Sequence, residues 1–98
     1  MSLVRHVTVR GRVQGVGFRA WLEAMAEERC LEGWVRNRRD GSVEAVLIGP
    51  EDAVNAVIDA IRKGPPGSKV ESVDMIEADP GLLQQRAPRT RFAVLPTA

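Results

Sequence analysis

Apolar and polar residues alternate along residues 3–10, LVRHVTVR: Leu3, Arg5, Val7 and Val9 fall on one side, and Val4, His6, Thr8 and Arg10 on the other. A period of two is that of a strand with one buried face, and Val7 and Val9 mark that face here. From Phe18 the period changes. Phe18, Trp21, Leu22, Met25, Ala26 and Arg29 recur at helical spacing, with Glu23, Glu27 and Glu28 largely off the stripe, which predicts an amphipathic helix. Alternation returns over 32–49, EGWVRNRRDGSVEAVLIG, interrupted by Asp40-Gly41, the signature of a β-hairpin. Gly49-Pro50-Glu51-Asp52 opens a second helix, with proline near its start and acids in its first turn. Val54, Val57, Ile58 and Ile61 form its buried stripe, and Gly64-Pro65-Pro66-Gly67 ends it. KVESVDMIEA (69–78) predicts a fourth strand with less regular alternation, and RFAVL (91–95) a short last one with Phe92 and Val94 on one side. The stretch between them, DPGLLQQRAPRT (79–90), is a polar, proline-containing connection to which no element is assigned.

The order is β-α-β-β-α-β followed by a short extra C-terminal strand. Two βα units joined by a hairpin predict an α+β fold, the ferredoxin-like α/β sandwich, with an antiparallel sheet and both helices on one face. At 98 residues the chain makes one domain, 1–98. That topology serves many functions, so the function must be sought in particular residues.

Composition narrows the search. The chain is 44% hydrophobic and 28% charged, as a globular protein is. The N-terminus, MSLVRHVTVRG, lacks the apolar run of a secretory signal, and no stretch reaches the about 18 apolar residues of a membrane span. A cytoplasmic protein with no membrane partner is expected. Cys30 and His6 are the only residues of their types, which excludes an intramolecular disulfide and speaks against a zinc site or a Cys–His nucleophile. Net charge is +1, too small a field for nucleic acid. Of the 14 basic residues only Lys63 and Lys69 are lysine. Arg5, Arg10, Arg12, Arg36, Arg38 and Arg39 flank the first two strands, with Arg19 near them. Such local positive charge suits a small anion better than a polynucleotide.

The stretch GRVQGVGFRAW (11–21) carries Gly11, Gly15 and Gly17 and, directly after Phe18, Arg19. Glycines permit a sharp turn or a close approach to a ligand, and arginine offers a rigid fork of donors to phosphate or carboxylate. The loop runs into a helix N-terminus, where unpaired N–H groups and the dipole favour an anion. The glycines alone would equally make an ordinary strand-to-helix turn. Arg19 tips the balance towards an anion cradle, because a cation in the first turn opposes the dipole unless an anion sits there. Gly15-x-Gly17-x-x-Ala20 with Asp40 formally resembles a dinucleotide fingerprint, but Asp40 belongs to a hairpin turn and not to a parallel second strand. No Gly-Lys-Ser/Thr follows, so a Walker A loop is excluded too.

Asn37, among Arg36, Arg38 and Arg39, is the second candidate. Standing alone it reads as a surface polar residue. Beside a bound phosphate, its amide would donate and accept at once and so hold a water in a fixed orientation without titrating. His6 is expected to be solvent-exposed on the face opposite Val7 and Val9. Trp21 and Trp34 read as packing residues, and Arg36, Arg38 and Arg39 as a solvated patch.

VTVRGRVQGVGFR (7–19) followed by GWVRNRRDGSVE (33–44) closely resembles the acylphosphatases. The resemblance extends over nearly the whole chain, through GPPGSKVESVDM (64–75) to the closing RFAV. It implies that Arg19 is the phosphate-binding arginine, that the backbone N–H groups of Gln14, Gly15, Val16, Gly17, Phe18 and Arg19 form the cradle, and that Asn37 positions the attacking water. The implied reaction is hydrolysis of a small-molecule acyl phosphate at its carboxyl–phosphate anhydride, by a monomer needing no metal or cofactor. Two positions depart from the family's pattern. Cys30 stands where the family usually has glycine after the first helix, so a left-handed, strained backbone is expected there. The tail PTA replaces an aromatic or charged ending and is expected to weaken the packing of the last strand.

Three other functions stand beside this one. A domain acting on carbamoyl phosphate, as in hydrogenase maturation proteins, would be followed by further domains, whereas this chain stops at 98. RNA-recognition modules share the topology but stack bases on strand aromatics, and this chain has two Phe, two Trp and no Tyr. A catalytically silent anion-binding or regulatory domain is the third.

Overall fold

The computed structural model describes residues 2–79, 81 and 91–98. Its elements are β1 (Ser2–Arg12), α1 (Phe18–Glu28), β2 (Glu32–Asn37), β3 (Val43–Pro50), α2 (Glu51–Lys63), β4 (Lys69–Glu77) and β5 (Phe92–Val94). They form a five-stranded sheet in the order β4-β1-β3-β2-β5. The pairs β4–β1, β1–β3 and β3–β2 are antiparallel. β5 joins β2 in parallel, so the last strand makes an otherwise antiparallel sheet mixed.

The strand period becomes a face. Val7, Val9, Val35, Val43, Ala45 and Leu47 project from one side of the sheet into the core, where they meet Phe18, Leu22 and Ala26 of α1 and Val54, Val57, Ile58 and Ile61 of α2. All four apolar positions of the α2 stripe are buried. The α1 stripe is narrower than its spacing implied: Trp21 and Met25 are half-buried and Arg29 is exposed beyond the helix end. Trp34 is buried at 1% exposure, but in register with Val46 and His6 it lies on the sheet face opposite the helices. Arg36 places its guanidinium 4.7 Å from the Trp34 ring centroid.

Three sequence expectations change in detail. β1 runs past Arg10 through Gly11 and Arg12, with a register irregularity at Arg10/Gly11 against β4. Gly11, at φ 127, has the Lys69 carbonyl where a Cβ would stand. It therefore serves strand pairing and not the loop. The C-terminal tail is not loose: Leu95 N–H donates to Val35 O (2.9 Å), Ala98 N–H to Asn37 O (3.0 Å), and Arg39 N–H to Ala98 O (2.9 Å). The connection at 79–90 lies, apart from Asp79 and Gly81, outside the described residues.

α1 ends as the resemblance implied. Leu31 N–H donates to Ala26 O (2.9 Å) and Cys30 N–H to Glu27 O (3.0 Å), the paired bonds of a Schellman motif with Cys30 at the position glycine usually takes. Cys30 has φ 58, the single positive φ outside glycine among the described residues.

Candidate active site

Between β1 and α1 the chain must turn within Val13–Gly17. Gly15 (φ 73) and Gly17 (φ 78) supply the left-handed conformations that a side chain would resist. A Cβ at either position would meet nothing within 4 Å. It is backbone conformation, then, that calls for glycine there, and the space over the loop is open. Gly17 caps α1 with no side-chain hydrogen bond, and no acid occupies the first turn. The helix thus presents its positive end without the usual carboxylate, and Arg19 adds a cation to it.

Asn37 reaches the same place from the other half of the chain. It ends β2, pairs with Val43, and through Val43 shares a row with Val9. It is therefore on the helix-covered face. A cavity of about 430 Å³ brings together Gly15, Gly17, Phe18, Arg19 and Asn37. Among the described residues, neither the Arg19 guanidinium nor the Asn37 amide has a hydrogen-bond or ion-pair partner. Phe18 is buried beneath, edge-on to Trp21 with ring centroids 5.3 Å apart.

Two residues of the expected cradle, Gln14 and Val16, do not line the cavity. Val16 packs against the core. Gln14 turns its amide into the β2–β3 connection, donating to Arg38 O (2.7 Å) and Ser42 O (2.8 Å). The Arg38 N–H donates to the same Ser42 carbonyl (2.9 Å). One side chain thus ties the glycine loop to the segment that begins right after Asn37. In that connection Asp40 Oδ1 accepts from the Ser42 N–H (2.9 Å) and hydroxyl (2.6 Å). Those two bonds hold the Asp40 carboxyl below its ordinary range. Asp40 is committed to the turn, as rejection of the dinucleotide reading requires.

Sequence reasoning missed four further lining residues: Val13, Ala20, Glu23 and Val94. Glu23 was legible, being one helical turn from Arg19. Val94 carried no such signal, because it comes from the far end of the chain.

His6 is not exposed as expected. Its Nε2 lies 2.6 Å from Glu44 Oε2, with its side chain 23% and that of Glu44 8% accessible. Arg36 Nε (2.7 Å) and Arg38 Nη1 (3.1 Å) both donate to Glu44 Oε1. Burial opposes ionisation of Glu44, but the hydrogen bonds from His6 and Arg36 outweigh it and lower its pKa. Glu44 is then the acceptor and the His6 ring nitrogen the donor. This network occupies the face opposite the cavity. Among the described residues no three His, Cys, Asp or Glu side chains converge in a way that could hold a metal ion, and no helix is long and apolar enough to cross a membrane.

With this geometry in view, comparison with known proteins is decisive. The acylphosphatase family profile matches residues 5–92. The chain belongs to the acylphosphatase family. The acylphosphatase of Rhodopseudomonas palustris strain BisB18 is 51% identical over 96 residues, covering 98% of this chain and 97% of that one. The crystal structure of acylphosphatase from Bacillus subtilis has 38% identity and a TM-score of 0.81, covering 97% of this chain and 99% of that one. An acylphosphatase from Coxiella burnetii gives 35% identity and 0.82, over 96% and 93%. The acylphosphatase fold, two helices on a sheet of βαββαβ order with a C-terminal strand, is the fold described above. The family match over residues 5–92 and acylphosphatase relatives at about half identity over nearly the full chain make the chain a hydrolase acting on acid anhydrides.

Proposed function

We propose that the protein hydrolyses acyl phosphates to a carboxylate and inorganic phosphate, with the phosphoryl group held at the glycine loop and Arg19, and the attacking water oriented by Asn37. The observation that carries this reading is the convergence of Arg19, Gly15, Gly17 and Asn37 on one cavity at the uncapped N-terminus of α1. Backbone N–H groups of Gly15, Gly17, Phe18 and Arg19, with the Arg19 fork, stabilise charge on the equatorial oxygens. The Asn37 amide accepts a hydrogen bond from water and presents the water oxygen to phosphorus. A new P–O bond forms as the bond to the acyl oxygen breaks, and the carboxylate departs without needing a strong acid.

The water must lose a proton. Neither Arg19 nor Asn37 titrates near neutrality, and His6 is engaged by Glu44 on the other face. A phosphoryl oxygen of the substrate takes the proton, which leaves products balanced as carboxylate and dihydrogen phosphate. Arg19, Asn37 and the loop provide positioning and charge without a metal or cofactor. The reading extends to a cytoplasmic monomer whose partner is a small molecule and not nucleic acid.

The test is hydrolysis of benzoyl phosphate with and without a chelator, by the native protein and by Asn37→Ala and His6→Ala. Chelator-resistant activity that collapses in folded Asn37→Ala is expected. The pH–rate profile of His6→Ala should follow that of the native protein; a limb near the histidine range lost only in His6→Ala would overturn the assignment of the proton. Absence of activity in the folded native protein would leave an anion-binding domain.

A further inference from the structure

The cavity lining is chemically mixed. Arg19 and Asn37 stand in it with the glycine loop; the rest of the lining is Val13, Phe18, Ala20 and Val94, with Glu23 as its one acid. Val94 is an exposed large hydrophobic residue, 40% accessible, so the apolar wall reaches the surface. Nothing in the phosphoryl chemistry uses Glu23.

Arg19 and Glu23 stand at i and i+4 on α1, about 6 Å apart along one face. That spacing could have consumed both charges in a salt bridge, yet none joins them among the described residues. The order is also the weaker one for such a pair, because the acid lies C-terminal to the base. A phosphoryl group bound at Arg19 would neutralise the arginine and leave the Glu23 carboxylate facing the acyl group against apolar walls. Charge acts there at a lower effective dielectric than in water.

We propose that Glu23 is a specificity-determining residue that filters the acyl group by charge, so that the enzyme takes acyl phosphates with an uncharged or cationic acyl group and disfavours those bearing a second carboxylate. This rests on the placement of the phosphoryl group at Arg19 proposed above. The apolar wall accepts the hydrocarbon part of the acyl group, and Glu23 reads what that group carries at its far end. Two negative charges held a few ångströms apart at the cavity mouth correspond to a discrimination of about fivefold or more, falling with added salt.

The experiment uses three matched substrates: benzoyl phosphate, 4-carboxybenzoyl phosphate and 4-(trimethylammonio)benzoyl phosphate. kcat/KM is measured for each with the native protein, Glu23→Gln and Glu23→Lys, and the Kd of the corresponding acylphosphonates is measured by calorimetry. The readout is the ratio between substrates. Differences in intrinsic reactivity cancel between variants, and a loss of activity common to all three substrates does not enter. Relative to the native protein, Glu23→Gln should raise the carboxylated-to-plain ratio about fivefold, and Glu23→Lys should raise it further while depressing the cationic substrate. Equal ratios in all three proteins would overturn the charge filter while leaving the hydrolase reading intact. Phosphonates that bind in the expected charge order without any hydrolysis of the acyl phosphates would keep the filter and overturn the catalytic reading. Neither hydrolysis nor charge-ordered binding would overturn both.

Discussion

Arginine and acid side chains gather on both faces of one sheet, with opposite outcomes. On the face away from the helices, the nearly buried Glu44 receives His6, Arg36 and Arg38 at 2.6–3.1 Å, and both its oxygens are engaged. On the helix-covered face, the Arg19 guanidinium and the Asn37 side-chain amide open onto a cavity with no hydrogen-bond partner among the described residues. The first arrangement satisfies its own charges and belongs to stability. The second leaves donors unmet at an uncapped helix N-terminus that already disfavours a cation, a local inconsistency that an anionic substrate would resolve. Residue type alone does not separate the two regions; what separates them is whether the protein supplies the partner.

The largest test of that contrast is Arg19→Lys, which keeps the charge and removes the fork. Turnover of benzoyl phosphate should fall by roughly 10²–10³, about 2.7–4 kcal/mol at the transition state, with the melting temperature unmoved. An equal loss of stability would erase the distinction between the faces. Glu44→Ala should do the reverse, lowering stability in urea unfolding by about 2 kcal/mol, since it strands charged donors, while activity per folded molecule is retained. The pKa of Glu44 is lowered in the fold from its ordinary 4.5. Its contribution is therefore complete above that value and is lost as pH falls through the lower, folded-state value. The stability gap between native and Glu44→Ala should narrow on acidification, and a gap that widened would refute the assignment.

Gln14 joins the comparison because it braces the cavity from outside it. Gln14→Ala should lower kcat about tenfold, or about 1.4 kcal/mol, by freeing the segment that follows Asn37. In an Asn37→Ala background the same change should cost much less, whereas additive losses in the double-mutant cycle would make Gln14 merely structural. The smallest effect concerns backbone and no charge at all. Cys30→Gly should stabilise the fold by about 1 kcal/mol, raising the melting temperature by about 4–8 °C; a lower one would show that the φ of 58 carries no strain.

Much of this was legible because it is local. The period of two in β1, the helical stripe of α2 and the glycine punctuation before α1 are short-range patterns that backbone sterics and one-sided burial impose on any chain. They placed every described element to within a few residues, and the two motifs carried Arg19, Asn37 and the family. Cys30 belongs to the same class, since a helix end calls for a left-handed residue whatever lies around it.

Other features depended on contacts between distant positions. Gly11 looked like part of the anion loop until its pairing with β4 put the Lys69 carbonyl where its side chain would be. His6 looked exposed until register set Glu44 within 2.6 Å, and a pairing of residues 38 apart has no trace in periodicity. Hydrophobicity marks Trp34 as a packing residue, but the face on which it packs is set by its row with Val46 and His6. Val94 reached the cavity mouth only because β5 returned alongside β2. The sequence by itself determined the elements, their order and the residue types fit for phosphate, all of which follow from backbone conformation and local amphipathicity. Tertiary structure alone decided which polar groups found partners and which were left facing a cavity, because hydrogen bonds and burial depend on distances that only strand register and helix packing set.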